Sequence, residues 1–125
     1  MFKSIYQILI IVSVAIGLVQ SEHSVAHSIE SIISGEHRSD SNKARDAYRN
    51  PKKTLEFFGL QEDMTVVEIW PSGGWYAEII APYLNETGQY ISAGYDPNDE
   101  NSYFHTNVAK FMDRLNQDPD LFSNV

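Results

Sequence analysis

Thr65–Leu84, TVVEIWPSGGWYAEIIAPYL, is the stretch on which the fold turns. Val66, Val67 and Ile69 form a short β-branched run interrupted only by Glu68, the pattern of a parallel strand covered on both faces. Pro71-Ser72-Gly73-Gly74 follows, a turn whose glycines accept positive φ and let a ligand approach the backbone. From Trp75 the period changes. Tyr76, Ile79, Ile80, Tyr83 and Leu84 recur at three and four residues, so the spacing predicts a helix from Trp75 onward. A helix that starts at a glycine turn leaves unpaired N–H groups facing that turn, which favours an anionic group there.

Spacing narrows the ligand. A dinucleotide site needs G-x-G-x-x-G at the strand end, and that frame puts its glycine positions on Trp70, Ser72 and Trp75. A phosphate-binding P-loop needs Gly-Lys-Ser/Thr, which does not follow. What remains is a strand-end acid with a looser glycine turn, as in class I S-adenosylmethionine-dependent methyltransferases. Adenosylmethionine carries a carboxylate, an ammonium and a sulfonium but no phosphate. A helix start for the carboxylate and nearby acids for the cations suit it.

At these residues the chain resembles a narrower group. RDAYRNP at 45–51, the WP-x-GGWY core at 70–76, YDP at 95–97 and DPDLFSNV at 118–125 are similar to a family of exported bacterial proteins assigned as class I methyltransferases. Members usually carry glycine where this chain has Ser72. The resemblance implies an α/β, Rossmann-like fold: the N-terminal βαβα part of a doubly wound parallel sheet, preceded by two short helices. It also implies S-adenosyl-L-methionine as cofactor, an unidentified small-molecule acceptor, and a cofactor-binding set of Glu68, Trp70, Pro71, Ser72, Gly73, Gly74, Trp75 and Asp96. In that set Ser72, Gly73 and Gly74 bring the backbone close, and the helix start faces the methionine carboxylate. Glu68 orients the turn or meets the ammonium, and Asp96 holds the ribose. Trp70 or Trp75 covers the sulfonium by a cation–π contact, with core packing as the alternative for each. No catalytic residue is assigned, because the family's substrate-selecting and base residues normally lie in its C-terminal half. Methyl transfer itself mostly needs alignment of nucleophile and methyl group, so a missing base is no objection. The family's domain is longer, so 38–125 is expected to be its cofactor-binding half. That half, isolated, is expected to be marginally stable, since a two-stranded sheet has unpaired outer edges. A competing reading is a non-catalytic exported module that binds a small ligand on the same fold, because adenosylmethionine is made in the cytosol.

Size and charge bound the rest. The 125 residues are 42% hydrophobic and 21% charged, an ordinary globular composition. A net charge of −8 repels nucleic acid and makes DNA or RNA a poor partner. No cysteine is present, which removes disulfides, thiolate metal sites and a cysteine nucleophile. Residues 1–21, MFKSIYQILIIVSVAIGLVQS, have one lysine, an apolar core from Ile5 to Val19, and small residues suited to cleavage near Ser21. They read as a signal peptide sending the protein to the periplasm. The alternative is a retained membrane anchor at the short limit for spanning.

Along the remainder, 22–37 reads as a polar linker. His23 and His27 share a helical face that invites a metal, but no third ligand is fixed by spacing and no metal is expected. Arg38–Arg49 reads as a short helix capped by Ser39 or Asp40, and Asn50-Pro51 opens a second that Gly59 stops. Arg45 and Arg49, one turn apart, face either a ligand carboxylate or neighbouring acids such as Asp46 and Asp40. Gln89–Tyr95 reads as the second strand, with Asp96 two residues beyond the position where a ribose-binding acid is expected, which falls on Gly94. Phe104, Val108, Phe111 and Leu115 mark a helix from about Ser102, with His105 beside its stripe read as a surface histidine, and Phe122–Val125 should lead into a third strand.

Overall fold

The computed structural model describes residues 28–84, 86–96, 98 and 101–125. The signal peptide read at 1–21, His23 and His27 lie outside the described residues, as do the acids Asp99 and Glu100 that follow Asp96 in the sequence and compete with it for a ribose-binding role. The chain is mixed α/β. Its described elements are α1 (Ile29–Ser34), α2 (Asp40–Lys43), α3 (Asp46–Arg49), α4 (Pro51–Phe57), β1 (Thr65–Ile69), α5 (Ala77–Leu84), β2 (Gln89–Ala93) and α6 (Ser102–Gln117). The strands pair in parallel, Thr65 with Gln89 through Ile69 with Ala93. A small open sheet of two parallel strands joined through a helix results, compatible with part of an α/β fold.

Side chains alternate across this sheet, so Val66, Glu68 and Tyr90 share one face. That face meets the core built on α5, where Ile79, Ala81 and Leu84 are fully buried beside Trp75, Phe111 and Phe122. The opposite face holds Val67, Ile69 and Ile91, exposed by 56%, 70% and 40%. Here the expected burial on both faces is corrected. β-branched residues make a strand able to be covered twice, but among the described residues only one side has a covering layer.

Boundaries differ in instructive ways. A helix, α1, stands within the stretch read as a linker; Ser28 Oγ accepts from Ser31 N, and Ile32 is buried in the core. The helix read over 38–49 is two short pieces, with Ser39 capping the first by accepting from Asn42 N. Asn50 opens α4 in a left-handed conformation (φ 44°) and closes α3 through its backbone, its N–H donating to Asp46 O at 2.8 Å. Residues 72–76 are spent in turns, so α5 starts at Ala77 rather than Trp75. Residues 119–124 also form turns, although Tyr90 N donates to Asn124 O at 3.3 Å beside β2.

A buried polar clamp fixes α5. Pro82 has no N–H, so the carbonyl of Glu78 loses its helical donor. His37 replaces it, with Nε2 at 2.9 Å from Glu78 O, which makes Nε2 the protonated nitrogen. The Glu78 carboxylate, fully buried in the first turn of α5, accepts from Asn42 Nδ2 and Arg114 Nε, each at 2.9 Å. Arg38, also buried, forks onto both oxygens of Asp46 at 2.6 and 2.8 Å, and Arg114 reaches His37 O at 2.7 Å. These bonds tie the segment before β1 and α6 to the helix that follows the glycine turn.

Candidate functional site

β1 ends at Ile69, and the next five residues alternate in the sign of φ. Trp70 (57°), Ser72 (49°) and Gly74 (78°) are left-handed, whereas Pro71 and Gly73 are not. Alternation of hand is a feature of anion-binding nests, although Pro71 contributes no N–H here. Trp70 N donates to Ala93 O at 2.9 Å and Gly74 N to Pro71 O at 2.8 Å. Among the described residues the N–H groups of Ser72 and Gly73 have no acceptor. Of the three left-handed positions only Gly74 is glycine, and a Cβ there would also meet the Phe111 ring at 3.4 Å. Ser72 stands where a glycine would relax the backbone, and its hydroxyl turns back to Trp70 O at 3.4 Å.

Beside this turn is a cavity of about 320 Å³ at the carboxyl ends of both strands. Pro71 and Ser72 line it from the turn, Ser92, Gly94 and Tyr95 from β2 and its exit, and Asn107, Val108, Phe111 and Met112 from α6. Its size lies at the lower end of the roughly 300–1,000 Å³ typical of small-molecule pockets. The surface is mostly apolar, with Ser72, Ser92 and Asn107 supplying polar side chains.

The other residues read from the sequence go elsewhere. Gly73 stands clear of neighbours and is exposed. Trp75 is 3% exposed, gives its indole N–H to Asn42 O at 2.9 Å, and lies under the Arg49 guanidinium, 4.7 Å from its ring centre. For this indole, packing is the reading the geometry favours. Trp70 is 60% exposed and stacks on Tyr95, with ring centres 5.6 Å apart. Glu68 turns to the covered face and accepts from the Tyr90 hydroxyl. Burial raises its carboxyl above the ordinary 4.5, against the opposing pull of that hydrogen bond and of Arg49. Burial and the Glu68 charge raise the Tyr90 phenol as well, which keeps it the donor. Asp96 is exposed and accepts from Asn98 N at 2.8 Å, an Asx turn of its own loop. Of the expected set, then, Pro71 and Ser72 meet at the cavity, and Glu68, Trp70, Gly73, Gly74, Trp75 and Asp96 do not line it.

Asn107 and Met112, which no sequence motif marked, complete the lining. Their signal was available: both lie on the helix whose apolar stripe includes Val108 and Phe111. Among the described residues no cluster of three or more histidines or acids is placed to hold a metal. Nor is any helix there long and apolar enough to cross a membrane. Compared with family models, with curated proteins and with solved structures, the chain finds no match.

Proposed function

We propose that this chain binds S-adenosylmethionine at the turn after β1 and serves as the cofactor-binding part of an exported methyltransferase acting on a small molecule. The observation that carries this reading is the 70–74 turn, whose Ser72 and Gly73 N–H groups lack acceptors among the described residues, next to the strand-end cavity. A ligand carboxylate is the anion such a turn accommodates. The apolar wall from Val108 to Met112 suits a nucleoside body that carries no phosphate. Ligands of open α/β sheets lie in this same place, outside the carboxyl ends of the strands. Calorimetric titration of the purified protein with adenosylmethionine tests the reading. Saturable one-to-one binding is expected, and no heat at millimolar ligand overturns it.

A second reading, a non-catalytic exported module for a nucleoside or similar ligand, is favoured by one feature. Among the described residues the cavity lining contains no carboxylate: Glu68 is bonded to Tyr90 and Asp96 to its own loop. Binding of adenosine without binding of adenosylmethionine decides for it.

A further inference from the structure

We propose that the exposed face of the Trp70 indole is a stacking platform for a flat heterocycle, and that the ring it takes is a purine base. Trp70 holds a left-handed backbone (φ 57°), which a bulky L-residue adopts only where its surroundings enforce it. Those surroundings are visible: its N–H is bound to Ala93 O, and its ring lies nearly parallel to Tyr95, at 15° and 5.6 Å. The strained backbone does not lead the indole into the core, because 60% of the residue stays exposed.

Tyr95 extends the arrangement. It stacks on Phe104 of α6 at 4.3 Å and 20°, while Tyr103 meets both of those rings edge-on. Three near-parallel rings therefore connect the turn after β1, the exit of β2 and the start of α6, the same three elements that wall the cavity. Trp75 is an internal control five residues away. Where this fold uses an indole for packing, it buries the ring and satisfies the N–H. At Trp70 it does the reverse: the backbone is held in an unfavourable conformation and the ring face stays in water. Strain of that kind concentrates at ligand clamps.

A large flat π-face pairs with another in an offset stack, and nucleobases supply such a face on any aromatic platform. The choice of a purine rests on the nucleoside reading of the neighbouring cavity; the platform itself rests on the ring geometry.

Adenosine is the probe. The purified protein is titrated with it while tryptophan emission and acrylamide quenching are followed, beside Trp70→Ala and the ring-retaining Trp70→Phe. Adenosine is expected to shield one tryptophan from acrylamide. Trp70→Ala should weaken adenosine binding by about five- to 150-fold and Trp70→Phe by less, with circular dichroism unchanged. If Trp70→Ala fails to fold, the wild-type shielding decides, and its absence overturns the proposal. Undiminished adenosine binding by a folded Trp70→Ala also overturns it, while leaving the nucleoside reading intact. Shielding by adenosine without any binding of adenosylmethionine supports the platform and removes the methyltransferase reading. Shielding by glucose but not adenosine overturns the assignment to a purine. Shielding that grows with protein concentration and no ligand makes the face a contact between copies and overturns it too.

Discussion

Ile79 and Ile69 are the same residue in two surroundings. Ile79, in α5, is fully buried against the covered side of the sheet, whereas Ile69, on the other side of β1, is 70% exposed. Around Ile79 the apolar residues interlock with a hydrogen-bonded clamp, Glu78 with Arg114 and Asn42, and Arg38 with Asp46. Around Ile69 the neighbours Val67 and Ile91 are exposed as well. The contrast separates capacity from realisation. A β-branched run gives a strand faces that can be buried, and burial follows only where another element supplies the cover.

The largest effect expected from this asymmetry lies at Glu78. Glu78→Ala strips the Arg38 and Arg114 guanidiniums of a buried carboxylate and should cost about 3–5 kcal/mol, as removing one partner of a buried pair does. Urea unfolding measures it, and a cost below about 1 kcal/mol would mean that the clamp contributes little. Next comes the isoleucine pair. Ile79→Ala should cost about 2–5 kcal/mol through lost burial and a cavity, and Ile69→Ala should stay within about 0.5 kcal/mol. A comparable loss at Ile69 would break the contrast, because it would show that the bare face is covered in solution.

Legibility in the sequence followed the range of the interactions. β1, the start of β2 and α6 rest on local periodicity and stand where the pattern put them, within two residues. The start of α5 moved because residues 72–76 stay in turns that begin inside the stretch of alternating hand and run on through Trp75 and Tyr76, which no spacing rule for helices anticipates. α1 went unread although its signal was local: Ile29, Ile32 and Ile33 at helical spacing behind a Ser28 cap, set in polar surroundings. Pro82 announces an orphan carbonyl at Glu78 but cannot say that His37, 41 residues earlier, will satisfy it. The site divides in the same way. The strand register fixes Gly94 just past the paired Ile69–Ala93, as strand alignment alone implied. Asp96 drops out of the lining because its carboxylate is used two residues away, a local competition that the Asp-Pro-Asn sequence already contained.

Glu68 sits where the two regions meet, on the covered face but only half buried, and it gives the smallest and most informative test. Burial holds its carboxyl above 4.5, so the folded state keeps a proton that the unfolded state releases. Between 4.5 and the raised value, stability therefore falls as pH rises; below 4.5 both states are protonated and no penalty applies. Glu68→Gln keeps the shape and an acceptor for the Tyr90 hydroxyl but removes the titration. In urea unfolding across pH, the wild type should lose stability relative to this variant as pH climbs through that window and run parallel to it above. The effect should be modest, because solvent reaches part of the carboxylate. If the wild type instead gains on the variant with rising pH, Arg49 and Tyr90 more than compensate the cost of burying the charge. Glu68 then belongs with Glu78 among the well-partnered carboxylates of the clamp, and the polar boundary of the covered region moves out to the end of β1.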